Sequence, residues 1–139
     1  MPARPRLELK GVRGAPRVQA CSGMDAHDPV LQSPLGSDAS GVSRLDLGAP
    51  RRSAKLFFAA EPQGFAKLSD ETTGESITVR WEGEALRGFG LWINRGGWNG
   101  YHHVALEPCT VPFESPADMP DPAESPSQAA WSLKIELDA

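Results

Sequence analysis

The sequence predicts an all-β fold, an antiparallel β-sandwich. Apolar residues recur at every second position in Ile77, Val79 and Trp81, in Phe89, Leu91 and Ile93, and in Trp131, Leu133, Ile135 and Leu137. That is the period of a strand with one buried face. Turn-forming residues separate these runs. No stretch keeps a helical apolar spacing long enough for a helix of normal length. At 139 residues the chain has room for one domain, and its Gly 14 and Pro 13 imply long irregular segments beside the core.

Near the N-terminus, Leu7 and Leu9 alternate with Arg6, Glu8 and Lys10, which predicts one short strand ending at Gly11. From Ala15 to Pro50 the chain is rich in Gly, Ser, Pro and Asp and reads as loop. Residues 1–53 are therefore expected to be a largely irregular N-terminal third, and residues 54–139 the sandwich portion. KLFFAA at 55–60 and GFAKLSD at 64–70 flank Glu61-Pro62-Gln63-Gly64, read as a turn between two strands. DETTGE at 70–75 turns into SITVRW. In GFGLWIN at 88–94, Phe89, Leu91 and Ile93 share one face and Gly90, Trp92 and Asn94 the other. The loop RGGWNG at 95–100 delivers YHHVALEP. A proline-loaded segment from Pro108 to Pro126 precedes a last strand, in which Trp131, Leu133, Ile135 and Leu137 are expected to face in and Ser132, Lys134 and Glu136 out.

The formal charge of -4 argues against a polyanion-binding surface over the whole protein, so nucleic acid is not expected as a partner. Residues 1–53 carry a net +3 and residues 54–139 a net -7. No apolar run reaches the ~18 residues of a membrane span, and MPARPRLELKGVRG lacks the apolar region of a signal peptide. The expectation is a soluble, cytoplasmic protein without membrane contact. In that compartment Cys21 and Cys109, far apart in sequence, are expected as two free thiols.

The chemistry-bearing residues cluster between Trp92 and Cys109. On a strand, His103, Ala105 and Glu107 share a face, and Pro108 is expected to end the strand and leave Glu107 at a sheet rim. On local pattern alone Glu107 is equally a solvated strand-end carboxylate. Adjacent His102 and His103 point to opposite faces and make a poor metal pair. RGGWNG is followed by no helix that could hold phosphate. No metal and no cofactor are expected. Trp92, mid-strand, reads as core packing. Trp98 and Tyr101, in and beside the Gly-rich loop, suit either a ligand or the sheet edge.

GLWINRGGW followed by HHVALEPCT, with WSLKIEL after a proline-rich stretch, resembles the C-terminal end of the aldose 1-epimerase (galactose mutarotase-like) family. The similarity covers about residues 55–137, including KLFF and TGESITVRW, and LEP at 106–108 is its most specific part. The resemblance implies part of a large antiparallel β-sandwich with a sugar pocket, with Glu107 as catalytic base. Anomer interconversion takes the proton from the anomeric hydroxyl while the ring oxygen gains one, so a base and an acid must flank the sugar. In the family the acid is a histidine from earlier strands. Here the only upstream histidine is His27, in a segment unlike the family's motifs, and full-length members are roughly twice as long. His103 would lie roughly 13 Å along the strand from Glu107, too far for both to touch one anomeric centre.

The expected function is therefore binding of a monosaccharide, an aldose, with epimerase chemistry if an acid completes the site. Aromatic rings stack on sugar C–H faces and planar polar groups bind hydroxyls. The substrate-binding set is Trp98, Tyr101, His103, Asn94 and Arg95. The alternative is a non-catalytic structural or partner-binding β module, for which an exposed sheet edge offers self-association.

Overall fold

A computed structural model describes residues 4–19, 35–47, 53–111 and 129–139. It contains β1 (Pro5–Gln19), β2 (Val42–Asp46), β3 (Ala54–Asp70), β4 (Ser76–Glu82), β5 (Gly88–Arg95), β6 (His102–Cys109) and β7 (Ser132–Asp138). Every pairing is antiparallel. The all-β class matches the sequence expectation. All seven strands hydrogen-bond into one sheet, with β2-β1-β3-β4-β7 as its main path and β5-β6 as a branch from β3.

β3 organises this arrangement. β1 runs along one edge of it, from Pro5 opposite Asp70 to Gln19 opposite Lys55. The other edge is shared: residues 54–59 pair with β5, and residues 63–69 with β4. Glu61-Pro62-Gln63-Gly64 is thus not a turn between two strands. The chain passes through it without reversing, because Pro62 sits where neither β4 nor β5 is paired and no ladder donor is needed. Its carbonyl accepts from the Gly83 amide at 2.8 Å, while Ala60 donates to the Arg87 carbonyl at 2.9 Å.

The N-terminal third also departs from its expected irregularity. β1 is fifteen residues long, and β2 comes from the stretch read as loop. β1 tolerates Gly11, Gly14 and Pro16 because its register to β3 shifts between Lys10 and Val12 and between Arg13 and Arg17. At Gly11, with φ 81°, a Cβ would run into the Gln63 backbone. Close approach of β1 to the Gln63–Gly64 backbone of β3 requires glycine there. Residues 20–34 and 48–52 lie outside the described residues.

The even-numbered side of β3 builds the core. Leu56, Phe58, Ala60, Ala66 and Leu68 are buried with Leu7 and Leu9 of β1 and Phe89, Leu91 and Ile93 of β5. Trp81 of β4 bends over the same space. Its ring stacks on Phe89 at 5.3 Å, lies over Gly64, and donates Nε1–H to the Glu61 carbonyl at 3.0 Å. One indole therefore ties the β4 branch to the β5 branch, with its polar tip satisfied.

β7 differs from expectation. Trp131, Leu133, Ile135 and Leu137 were expected to face in, but they are 54%, 41%, 62% and 77% exposed. β7 continues the apolar side of β4, with Leu133 opposite Trp81 and Ile135 opposite Val79, yet it lies beyond the reach of the core formed by β1, β3 and β5. Among the described residues nothing covers it.

Candidate functional site

The face of β3, β5 and β6 opposite the core holds most of the residues singled out by sequence. Its register brings Lys55 beside Trp92 and Phe57 beside Gly90 on β3 and β5. On β6, Ala105 stands opposite Trp92, Glu107 opposite Gly90, and Cys109 opposite Gly88. Gly90 makes room for the carboxylate: a Cβ there would lie 2.9 Å from Glu107 Oε2 and 3.2 Å from Phe57 Cε1. Glu107 therefore lies across β5 beside an aromatic ring. β6 does not end at Glu107 but continues through Pro108 to Cys109, because among the described residues β6 pairs on one edge only and the missing N–H can face away from β5.

Four rings form a continuous row along this face. His103 meets Trp92 edge-on at 4.6 Å, Trp92 meets Trp98 at 5.3 Å, and Trp98 meets Tyr101 at 5.7 Å. The Lys55 ammonium lies 5.1 Å from the Trp92 ring centre and 5.7 Å from that of Phe57, within cation–π range. Trp98 and Tyr101 are 38% and 57% exposed, so the row ends in solvent.

The loop that carries Trp98 is held from below. Asn94, fully buried, uses its side chain as a short piece of strand. Its Nδ2 donates to the Trp98 carbonyl at 2.9 Å, and its Oδ1 accepts from the Trp98 amide at 3.1 Å and from Ser53 Oγ at 3.0 Å. Ser53 Oγ in turn accepts from the Arg95 amide at 2.8 Å and the Gly97 amide at 3.1 Å. Gly96 and Gly100, at φ 83° and 69°, and Asn99, at 50°, supply the left-handed backbone that closes the loop.

The sequence-derived set is thus divided. Glu107, His103, Trp98 and Tyr101 occupy one face. Asn94 lies beneath it, with its amide engaged by Ser53 and Trp98, and positions the loop instead of meeting a ligand. Arg95 is not part of the face: it alternates to the other side of β5 and donates from Nη2 to the Leu47 carbonyl. His102, opposite Arg95, lies beside Gly96. His27 lies outside the described residues. Trp92, read as core packing, is only half-buried and is the centre of the ring row, and Lys55, Phe57, Gly90 and Ser53 were not singled out. The alternation of Gly90, Trp92 and Asn94 was the available signal.

Cys109 is a free thiol, and Cys21 lies outside the described residues. Burial, reinforced by the nearby Glu107 charge, raises the Cys109 pKa from 9.0 to about 11. A thiol held protonated at neutral pH is a poor nucleophile and a poor metal ligand. Among the described residues no cluster of His, Cys, Asp or Glu is grouped to hold a metal ion, and no helix is long and apolar enough to cross a membrane. A separate cavity of about 560 Å³ opens at the far end of β3, β4 and β7, between Leu68, Asp70, Ile77 and Leu137. It shares no residue with the aromatic face.

Comparison of the chain with protein-family models, curated proteins and solved structures finds no match.

Proposed function

We propose that the β3-β5-β6 face binds an aldose, with the ring row stacking on the sugar's C–H surface and Glu107 accepting hydrogen bonds from its hydroxyls. The observation that carries this reading is the combination, on one face, of the Trp92–Trp98–Tyr101 row, the Lys55 ammonium and the Glu107 carboxylate. A sugar needs this mixture of apolar surface and charged hydrogen-bonding groups. The platform is solvent-facing at Trp98 and Tyr101, which suits reversible binding of a polar ligand. The resemblance of LEP at 106–108 to the aldose 1-epimerase motif adds a role for Glu107 as base.

The same geometry argues for weak catalysis by this chain alone. A base at Glu107 requires an acid on the ring-oxygen side of the sugar. His103 stands opposite Asn94, whereas Glu107 stands opposite Gly90, so the two are separated by four residues of extended strand, roughly 13 Å. His103 is also engaged edge-on with Trp92. Among the described residues no histidine stands where that acid is needed; a positioned acid contributes about 10²–10⁴-fold, and without one mutarotation should be slow. Polarimetry on a freshly dissolved pure anomer tests this. The expected result is a small rate above the uncatalysed one that disappears in Glu107→Gln. A rate unchanged by Glu107→Gln would remove Glu107 from the chemistry.

A further inference from the structure

We infer that β7 is a self-pairing edge, through which two copies of this chain join their sheets antiparallel about a twofold axis at Ile135. β7 pairs with β4 on one side, and among the described residues no strand pairs with its other side. Among the described residues the other free edges differ from it, and the part of β1 beyond β2 is broken by Gly14 and Pro16. β2 is only five residues long, and β6 contains Pro108. β7 has seven residues with neither Pro nor Gly, and so offers an uninterrupted row of backbone donors and acceptors.

The pattern of side chains selects both the occupant and the register. Antiparallel pairing must align residues of like parity, or apolar side chains would fall opposite charged ones. Centring the pair on Lys134 sets lysine against lysine, and centring it on Glu136 sets glutamate against glutamate. Like charges directly opposite are destabilising. Centring on Ile135 sets Lys134 of each copy against Glu136 of the other, Ser132 against Asp138, and Leu133 against Leu137, with the two Ile135 side chains meeting on the axis. The strand is thus charge-complementary to itself in one register, as an isologous twofold interface requires.

Exposure agrees with this arrangement. Leu133, Ile135 and Leu137 are the large apolar side chains that sheet continuation would place beside apolar partners, and they are exposed in the single copy. Lys134 and Glu136 already lie 2.9 Å apart within the strand, and Arg80 of β4 holds Glu136 at 2.7 Å. In the pair these charges would form a row across the junction. One strand pair is small beside the 1,200–2,000 Å² of a typical specific interface, so the dimer should form in a concentration-dependent equilibrium.

Sedimentation velocity on the full chain over a range of concentrations tests the inference. The wild type should pass from monomer to dimer. Lys134→Glu should weaken dimerisation about tenfold or more by placing two glutamates opposite each other at both symmetric positions. In the monomer it exchanges the exposed Lys134–Glu136 contact for a carboxylate opposite Arg80, so any change in monomer stability should stay within the small range of exposed ion pairs. The double variant Lys134→Glu with Glu136→Lys restores opposite charges across the axis and should restore dimerisation. Amide exchange supplies a readout without substitution: protection of β7 should rise with protein concentration. A chain that remains monomeric throughout would overturn the inference, whether β7 is bare or covered by other parts of the same chain. So would a dimer indifferent to Lys134→Glu, or one that the double variant fails to rescue.

Discussion

β3 feeds two branches that end differently. In the β5-β6 branch, the core side is sealed by Phe89, Leu91 and Ile93, and the opposite side carries an ordered row of rings with a carboxylate. In the β4-β7 branch, Trp81 and Val79 are buried but the next strand exposes its apolar residues. Both branches follow the same period-two pattern, so alternation alone does not distinguish a strand that meets the core from one that lies beyond it. Position relative to the other strands decides. A strand next to β3 is covered, and one a step further out depends on something beyond the strands around β3.

The substitution expected to disturb this comparison most is Trp81→Ala. The indole is 2% exposed and is the piece that touches both branches through Gly64 and Phe89. Removing a buried aromatic side chain of this size costs about 3–5 kcal/mol. Denaturant unfolding should show that loss, with β4 and β7 losing amide protection before β5 and β6. Equal loss in all four would mean that the branches fold as one unit and that Trp81 is not their joint.

A smaller effect, confined to one branch, is expected from Asn94→Ala. It leaves the Trp98 amide and carbonyl and the Ser53 hydroxyl without their partner, at about 1–3 kcal/mol. Amides of residues 96–100 should exchange faster and Trp98 emission should shift toward that of a solvated indole, while β4 and β7 stay as they were. Sugar affinity should fall with the loop's order. If affinity is retained while the loop loosens, Trp98 is not part of the binding surface.

The smallest effect is the pH dependence that Cys109 lends to the β6 edge. Its thiol titrates at about 11 in the folded chain instead of 9.0. Between those values the unfolded chain has lost the proton that the folded chain keeps, so stability is full below pH 9 and declines as pH rises toward 11. Cys109→Ala should remove that part of the alkaline decline. Alkylation of Cys109 in the folded protein should be slow at neutral pH, and rapid modification there would show the thiol to be less buried than its position on β6 implies.

Much of the fold was legible in the sequence where one face alternates strictly. β4, β5 and β7 follow directly from Ile77, Val79 and Trp81, from Phe89, Leu91 and Ile93, and from Leu133, Ile135 and Leu137. β1 was legible only up to Lys10, because Gly11, Gly14 and Pro16 are strand breakers locally and are carried by bulged pairing to β3, a long-range cause. The same holds for Pro62, whose turn signal is overridden by the exchange of partners along β3. In the candidate site, Trp98 and Tyr101 were picked out by residue type and by their place in and beside the Gly-rich loop, and Glu107 by the resemblance carried by LEP at 106–108. Trp92 was assigned to the core because mid-strand position does not say which face is covered. Arg95 was included by proximity in sequence, although strand alternation sends it to the opposite side from Asn94.

The ring row and Glu107 are proposed to act as one sugar-binding face. An NMR titration of the labelled chain with a simple aldose tests it most directly. Expected are shifts at the indole N–H signals of Trp92 and Trp98 and at the amides of residues 96–101 and 105–109, with β7 and the Trp81 indole unmoved and the shifts reduced in Glu107→Ala but nearly kept in Glu107→Gln. Shifts absent from this face at saturating sugar, or centred instead on the cavity beside Leu68, Ile77 and Leu137, would contradict it.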